Sequence, residues 1–103
     1  MSQTALFVRH RTQPGRRDEF VRVWEKYVKP RAEANPAHEA YFFCLSDTDP
    51  DMVSVFQLYS SPEAVREFLS GAWYAEYMRE VARVVAAPPE ILPAGLYWAK
   101  PGA

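Results

Sequence analysis

From Met52 to Tyr59 the side chains alternate without interruption, with Val53, Val55, Gln57 and Tyr59 on one side of an extended chain and Met52, Phe56 and Leu58 on the other. A period of two is the mark of a β-strand, and a strand apolar on both faces has to be covered on both. Ala5 to Arg11 alternates as well, with Leu6, Val8 and His10 opposed to Phe7, Arg9 and Arg11. Tyr41-Phe42-Phe43-Cys44-Leu45 is a short apolar run, and Asp47-Thr48-Asp49-Pro50-Asp51 separates it from Met52, which predicts an antiparallel hairpin with a long loop.

Between these strands the period changes. Gln13-Pro14-Gly15 breaks the first strand, and Phe20, Val23, Trp24, Tyr27, Val28 and the stem of Arg31 then recur every three to four residues, as on one face of a helix. Pro30 predicts a kink or a change of register, and Asn35-Pro36 the end. Ser61-Pro62-Glu63 combines an N-cap hydroxyl, a proline at the first helical position and an acid at the positive end of the dipole, so a short helix is expected to about Leu69. After a break at Gly71, Tyr74, Tyr77, Met78, Val81, Val84 and Val85 form a second stripe, which Pro88-Pro89 ends. Ile91 to Trp98 is the last candidate strand, confined to an edge by Pro93.

The order strand, helix, strand, strand, helix, strand predicts an α+β, ferredoxin-like split βαβ fold: a four-stranded antiparallel sheet with its helices on one face. Phe7, Arg9, Phe56 and Leu58 would then lie uncovered on the other face, so a homodimer through the open sheet face is expected. At 103 residues, residues 1–103 are expected to form one domain.

Several function classes are disfavoured. Net charge is -1 and pI about 6.1, and Asp18, Glu19 and Glu25 interrupt Arg16, Arg17 and Arg22 at helical spacing, the pattern of a solvated helix face and not of a nucleic-acid stripe. No apolar run is long enough to span a membrane and Met1-Ser2-Gln3-Thr4 does not begin a secretory leader, so the expectation is a cytoplasmic protein without membrane or nucleic-acid partners. Gly15, Gly71, Gly95 and Gly102 are too scattered for a dinucleotide or phosphate loop. Cys44 is the only cysteine and reads as a small buried hydrophobe. The three aspartates from Asp47 to Asp51 fail as a calcium loop because Met52 stands where glycine is needed and Leu58 where a bidentate glutamate is needed. Two histidines, His10 and His38, are too few for a three-ligand metal site, so no metal is expected.

Gln57 and Tyr59 project from an apolar strand toward the helices. They either find hydrogen-bond partners in the core or line a pocket floored by the sheet, with Val8 and Val55, and roofed by Phe68, Trp73, Tyr74 and Tyr77. Such a pocket suits a flat, oxygenated aromatic ligand.

The chain resembles the antibiotic biosynthesis monooxygenase family of the dimeric α/β barrel superfamily, which includes small quinol monooxygenases. The resemblance rests on the opening strand followed by Thr12-Gln13-Pro14-Gly15, on Val28-Lys29-Pro30 with Glu33-Ala34-Asn35-Pro36-Ala37, and on Phe56-Gln57-Leu58-Tyr59-Ser60-Ser61-Pro62-Glu63-Ala64 leading to Phe68-Leu69-Ser70. It implies a homodimer with a cavity between sheet and helices in each protomer, and oxidation of a small aromatic, quinol or polyketide-like substrate by O2 without metal or flavin cofactor. Tyr59 and Gln57 would orient the substrate oxygen, and His38 or His10 would be the candidate base. The family's frequent strand-three Glu and Trp fall on Gln57 and Tyr59 here, and its frequent helix-two His on Phe68. The strand-one Asn and axial His of the haem-degrading branch fall on Val8 and Met78, which disfavours haem. Two alternatives stay open: a non-catalytic dimeric small-ligand-binding protein, and an isomerase or cyclase of the same fold.

Overall fold

The computed structural model describes residues 3–102; Met1, Ser2 and Ala103, which belong to the single-domain and leader expectations, lie outside the described residues. The elements are β1 (Thr4–Arg11), α1 (Arg17–Tyr27), α2 (Lys29–Ala34), β2 (His38–Leu45), β3 (Met52–Tyr59), α3 (Pro62–Leu69), α4 (Ala72–Val81) and β4 (Glu90–Gly95). The sheet is antiparallel throughout, in the order β2-β3-β1-β4, with the helices on one face, the ferredoxin-like arrangement expected. It does not close on itself: β2 and β4 are free edges.

The alternation in β3 decides which face is the core. Val53, Val55, Gln57 and Tyr59 are buried beneath the helices, whereas the intervening residues are partly open. Phe20 and Tyr27 of α1, Val81 of α4 and Val84 beyond it close over Val53 and Val55. Full burial of a side chain such as Phe20 is worth about 2–3 kcal/mol. A second small cluster joins Leu6, Tyr59 and Ala64, seating α3 on the sheet.

Local chemistry sets the boundaries. Gly15 has φ +78° in the turn after β1, a conformation that favours glycine, and its N–H donates to Asp51 Oδ1 at 3.0 Å. At Pro30 a continuous helix would lose a backbone donor, so α1 ends at Tyr27 and α2 begins with Pro30 in its first turn. Ser61 Oγ accepts the N–H of Ala64 at 3.1 Å and caps α3.

Some boundaries and burials differ from the sequence expectation. β2 starts at His38, three residues before the apolar run, and has an irregular register between His38 and Ala40. The helix ends at Val81, and Val84 and Val85 instead pair with the chain just after β1: Val84 O accepts the N–H of Gln13 at 2.8 Å, and Val85 bridges Thr12. β4 stops at Gly95, leaving Tyr97 and Trp98 exposed beyond it, while Pro93 stands on an edge strand as expected. Cys44 is exposed, not buried, because it pairs with Ser54 and shares the open face with Phe42 and Phe56. Arg17, read as part of a solvated face, binds the hairpin loop: its Nη1 donates to the carbonyls of Ser46, Asp49 and Met52 at 3.0–3.3 Å.

Candidate functional site

Between the sheet and the helices lies a cavity of about 60 Å3, walled mainly by apolar and aromatic side chains. All of the expected lining residues stand on it: Val8 and Val55 from the floor, Gln57 beside them, and Phe68, Trp73, Tyr74 and Tyr77 from α3 and α4. The sequence reading missed Trp24, Val28, Tyr41, Met78 and Ile91, which line it as well. Helical spacing placed Trp24 and Val28 inward but could not select the sheet end they cover. Tyr41 was hidden in an unbroken apolar run whose phase only strand pairing reveals.

Gln57 is held by a chain of hydrogen bonds whose direction can be followed from the backbone. The N–H of Ala37 donates to Asn35 Oδ1 at 3.2 Å, which orients the Asn35 amide so that its Nδ2 donates to His38 Nδ1 at 2.9 Å. His38 therefore carries its proton on Nε2, and that proton is donated to Gln57 Oε1 at 2.9 Å. Tyr59 donates to the same oxygen at 2.5 Å. The carbonyl end of Gln57 is thus doubly occupied, and its NH2 group has no protein partner among the described residues. A buried amide with two uncommitted donors beside an apolar cavity is suited to an anionic oxygen.

His38 owes its place to the irregularity in β2. Tyr41 lies opposite Gln57 on the inward face, so strict alternation would bring Glu39 opposite Tyr59; the register shift brings His38 there instead. Its ring packs against Tyr59 at 4.2 Å and edge-on to Phe68 at 4.5 Å. His38 does not line the cavity itself; among the described residues its one hydrogen bond to a lining residue is to Gln57, and its ring backs Phe68 and Tyr41. Tyr59 is fully buried and likewise acts on the cavity through Gln57. His10, from the other end of β1, does line the cavity, packs on Phe20 at 4.6 Å, and has a buried Nδ1 without a hydrogen-bond partner among the described residues.

The electrostatics favour neutral side chains. Burial lowers His10 to about 4 and lowers His38 too, the latter opposed by its bond to Gln57. Burial pushes Tyr41 up to about 12, although the indole N–H of Trp24, 2.9 Å from its oxygen, opposes the shift. Tyr59 and Tyr77 are raised by burial and by the neighbouring phenols Tyr41 and Tyr74, and Tyr74 by burial alone. At neutral pH these phenols are protonated and both imidazoles uncharged, so the cavity offers donors and no strong base. Among the described residues no group of three His, Cys, Asp or Glu side chains could hold a metal ion, and no helix is long and apolar enough to cross a membrane.

The fold recurs in solved structures. A Nitrosomonas europaea protein of unknown function is 27% identical, with a TM-score of 0.82 over 100% of this chain and 97% of that one. A Caulobacter crescentus CB15 protein described as a "putative antibiotic biosynthesis monooxygenase" superposes with a TM-score of 0.86 at 18% identity over 94% and 92%. One from Chloroflexus aurantiacus J-10-fl, described in the same words, superposes with a TM-score of 0.79 at 20% identity over 96% and 97%. No curated protein matches the chain in sequence. Residues 5–80, which run from β1 through nearly all of α4 and include the cavity's floor and roof, match the family model for antibiotic biosynthesis monooxygenase, and the chain belongs to that family.

Proposed function

We propose that the protein is a monooxygenase that oxidises a small, electron-rich aromatic or quinol-like substrate with O2, without a resident metal or flavin. The observation that carries this reading is the Gln57 amide, fixed at its oxygen by His38 and Tyr59 and free at its NH2 group, beside an aromatic cavity. In the reaction one atom of O2 enters the substrate and the other leaves as water, with the two electrons and two protons coming from the substrate. An oxyanion of the substrate is the electron-rich form that can reduce O2, and two amide donors in a water-poor site stabilise it without reorganising. Tyr59 and His38 are positioning residues for that amide. With His10 near 4 and the phenols protonated, no side chain on the cavity is a strong base, so turnover should rise with pH through the substrate's own pKa.

Two identical chains would pair through the open sheet face. This is supported by Phe7, Phe42 and Leu92, respectively 44%, 57% and 62% exposed on one apolar surface.

Oxygen consumption by the protein with hydroquinones, naphthols and anthrones, against a heat-treated control, tests the reading. Catalysed uptake is expected, and Gln57→Glu should lower kcat/KM by roughly 10²-fold, because it keeps the acceptor for His38 and Tyr59 but replaces the amide donors with a like charge. A rise in activity would instead place a base, not a donor pair, at this position. A second reading is a non-catalytic binding protein, supported by the cavity's lack of a strong base, for which ligand-induced stabilisation without oxygen uptake is expected.

A further inference from the structure

A cavity of about 60 Å3 is too small for an aromatic ring; even benzene occupies an engineered cavity of about 150 Å3. Next to it, on the outer side, lies a groove of about 380 Å3 reached by Arg31, Asn35 and Glu67. Phe68 and Trp73 line both spaces, so these two rings are the partition between them. Phe68 is braced by His38 and Tyr59 from the sheet side. Among the described residues Trp73 has no ring contact with the sheet; its neighbours are on the helices, Tyr74 at 5.7 Å and Tyr77 at 6.4 Å. It meets Phe68 edge-on at 5.2 Å and is covered from outside by the guanidinium of Arg31, 4.9 Å from its ring.

The seat of Trp73 is bare backbone. A Cβ at Gly71 would stand 2.5 Å from both Cδ1 and Nε1 of the indole. Gly71 has φ -67° and ψ 149°, which any residue adopts, so the indole's closed position, and not the chain's path, is what requires a glycine there. Arg31 is exposed, donates to Tyr27 O at 2.7 Å, and has no carboxylate partner among the described residues.

We propose that a ligand enters through this groove by displacing the Trp73 indole, and that the ligand is an aromatic ring bearing a carboxylate, the ring passing into the inner cavity and the carboxylate meeting Arg31. The proposal rests on the reading of the inner cavity as the ligand site. Once the indole leaves, the guanidinium loses its ring and offers a planar fork to the ligand's anion.

Stopped-flow binding of 2-naphthoate, with 2-methylnaphthalene as the uncharged comparison, tests this without reference to turnover. In Gly71→Ala the added methyl group holds the indole away from its closed position, so both probes should associate several-fold faster than with the wild type. Trp73→Ala should do the same and covers the case in which the first variant is poorly folded. Arg31→Gln should weaken 2-naphthoate several-fold relative to 2-methylnaphthalene, whose own change reports only the lost cover on the indole. Unchanged or slower association in both Gly71→Ala and Trp73→Ala, no binding of either probe by these variants, or equal weakening of both probes by Arg31→Gln would overturn the proposal. Gated binding without oxygen uptake would remove the oxygenase reading and leave the gate. Oxygen uptake with ungated binding would do the reverse.

Discussion

Asn35, His38, Tyr59 and Gln57 show how a backbone N–H can set the polarity of a distant amide. Each hydrogen bond fixes the donor of the next, and the series ends with donors at the cavity wall. The inward position of Gln57 was legible from the alternation of β3. The route by which His38 reaches it was not, because strict alternation points Glu39 inward and the register shift is a property of strand pairing. Cys44 was misplaced for a related reason: an unbroken apolar run has no visible phase until its partner is known. His10 carries a pH prediction. Its pKa falls from 6.5 to about 4 on folding, so between those values the unfolded chain binds more protons than the folded one. Its contribution is therefore complete above about pH 6.5 and is lost as the pH falls toward 4, on the order of 3 kcal/mol in all. Denaturant midpoints from pH 7.5 to 4 should drop less steeply in His10→Leu than in the wild type.

Among the elements, α3 was legible to the residue because its start is written in local chemistry. The Ser61 hydroxyl is the acceptor for the Ala64 N–H, and Pro62 follows it in the first turn. Ser61→Ala should lower stability by about 1 kcal/mol, read by urea denaturation, with larger loss of amide-exchange protection in α3 than in α1. The end of α4 was harder to see. Val84 and Val85 continue the spacing of the helical stripe, yet their backbone pairs with Gln13 and Thr12, just beyond β1. A side-chain pattern reports which residues are buried and not how their peptide groups are paired, so a helix and a tightly packed turn after it look alike.

At the scale of the whole molecule the sheet has one covered face and one bare one. Phe42 stacks on Phe56 at 5.8 Å in the middle of the bare face, and Phe7 meets the same ring at 5.2 Å. Phe42→Asp should convert a dimer to a monomer in sedimentation velocity while leaving the far-ultraviolet dichroism intact; a wild-type protein that sediments as a monomer would refute pairing through this face. The two edges of the sheet have a different consequence. Pro93 takes a backbone donor out of the middle of β4, so that margin offers no unbroken template to another strand, and the register shift at His38 and Ala40 shortens the regular β2 margin to residues 40–45. Growth edge to edge, the route to filaments, is obstructed at the β4 margin and confined to a short stretch at the β2 margin, whereas a proposed partner copy on the bare face would leave that face with nothing further to offer. The same sheet is thereby biased toward an association that stops at a fixed size.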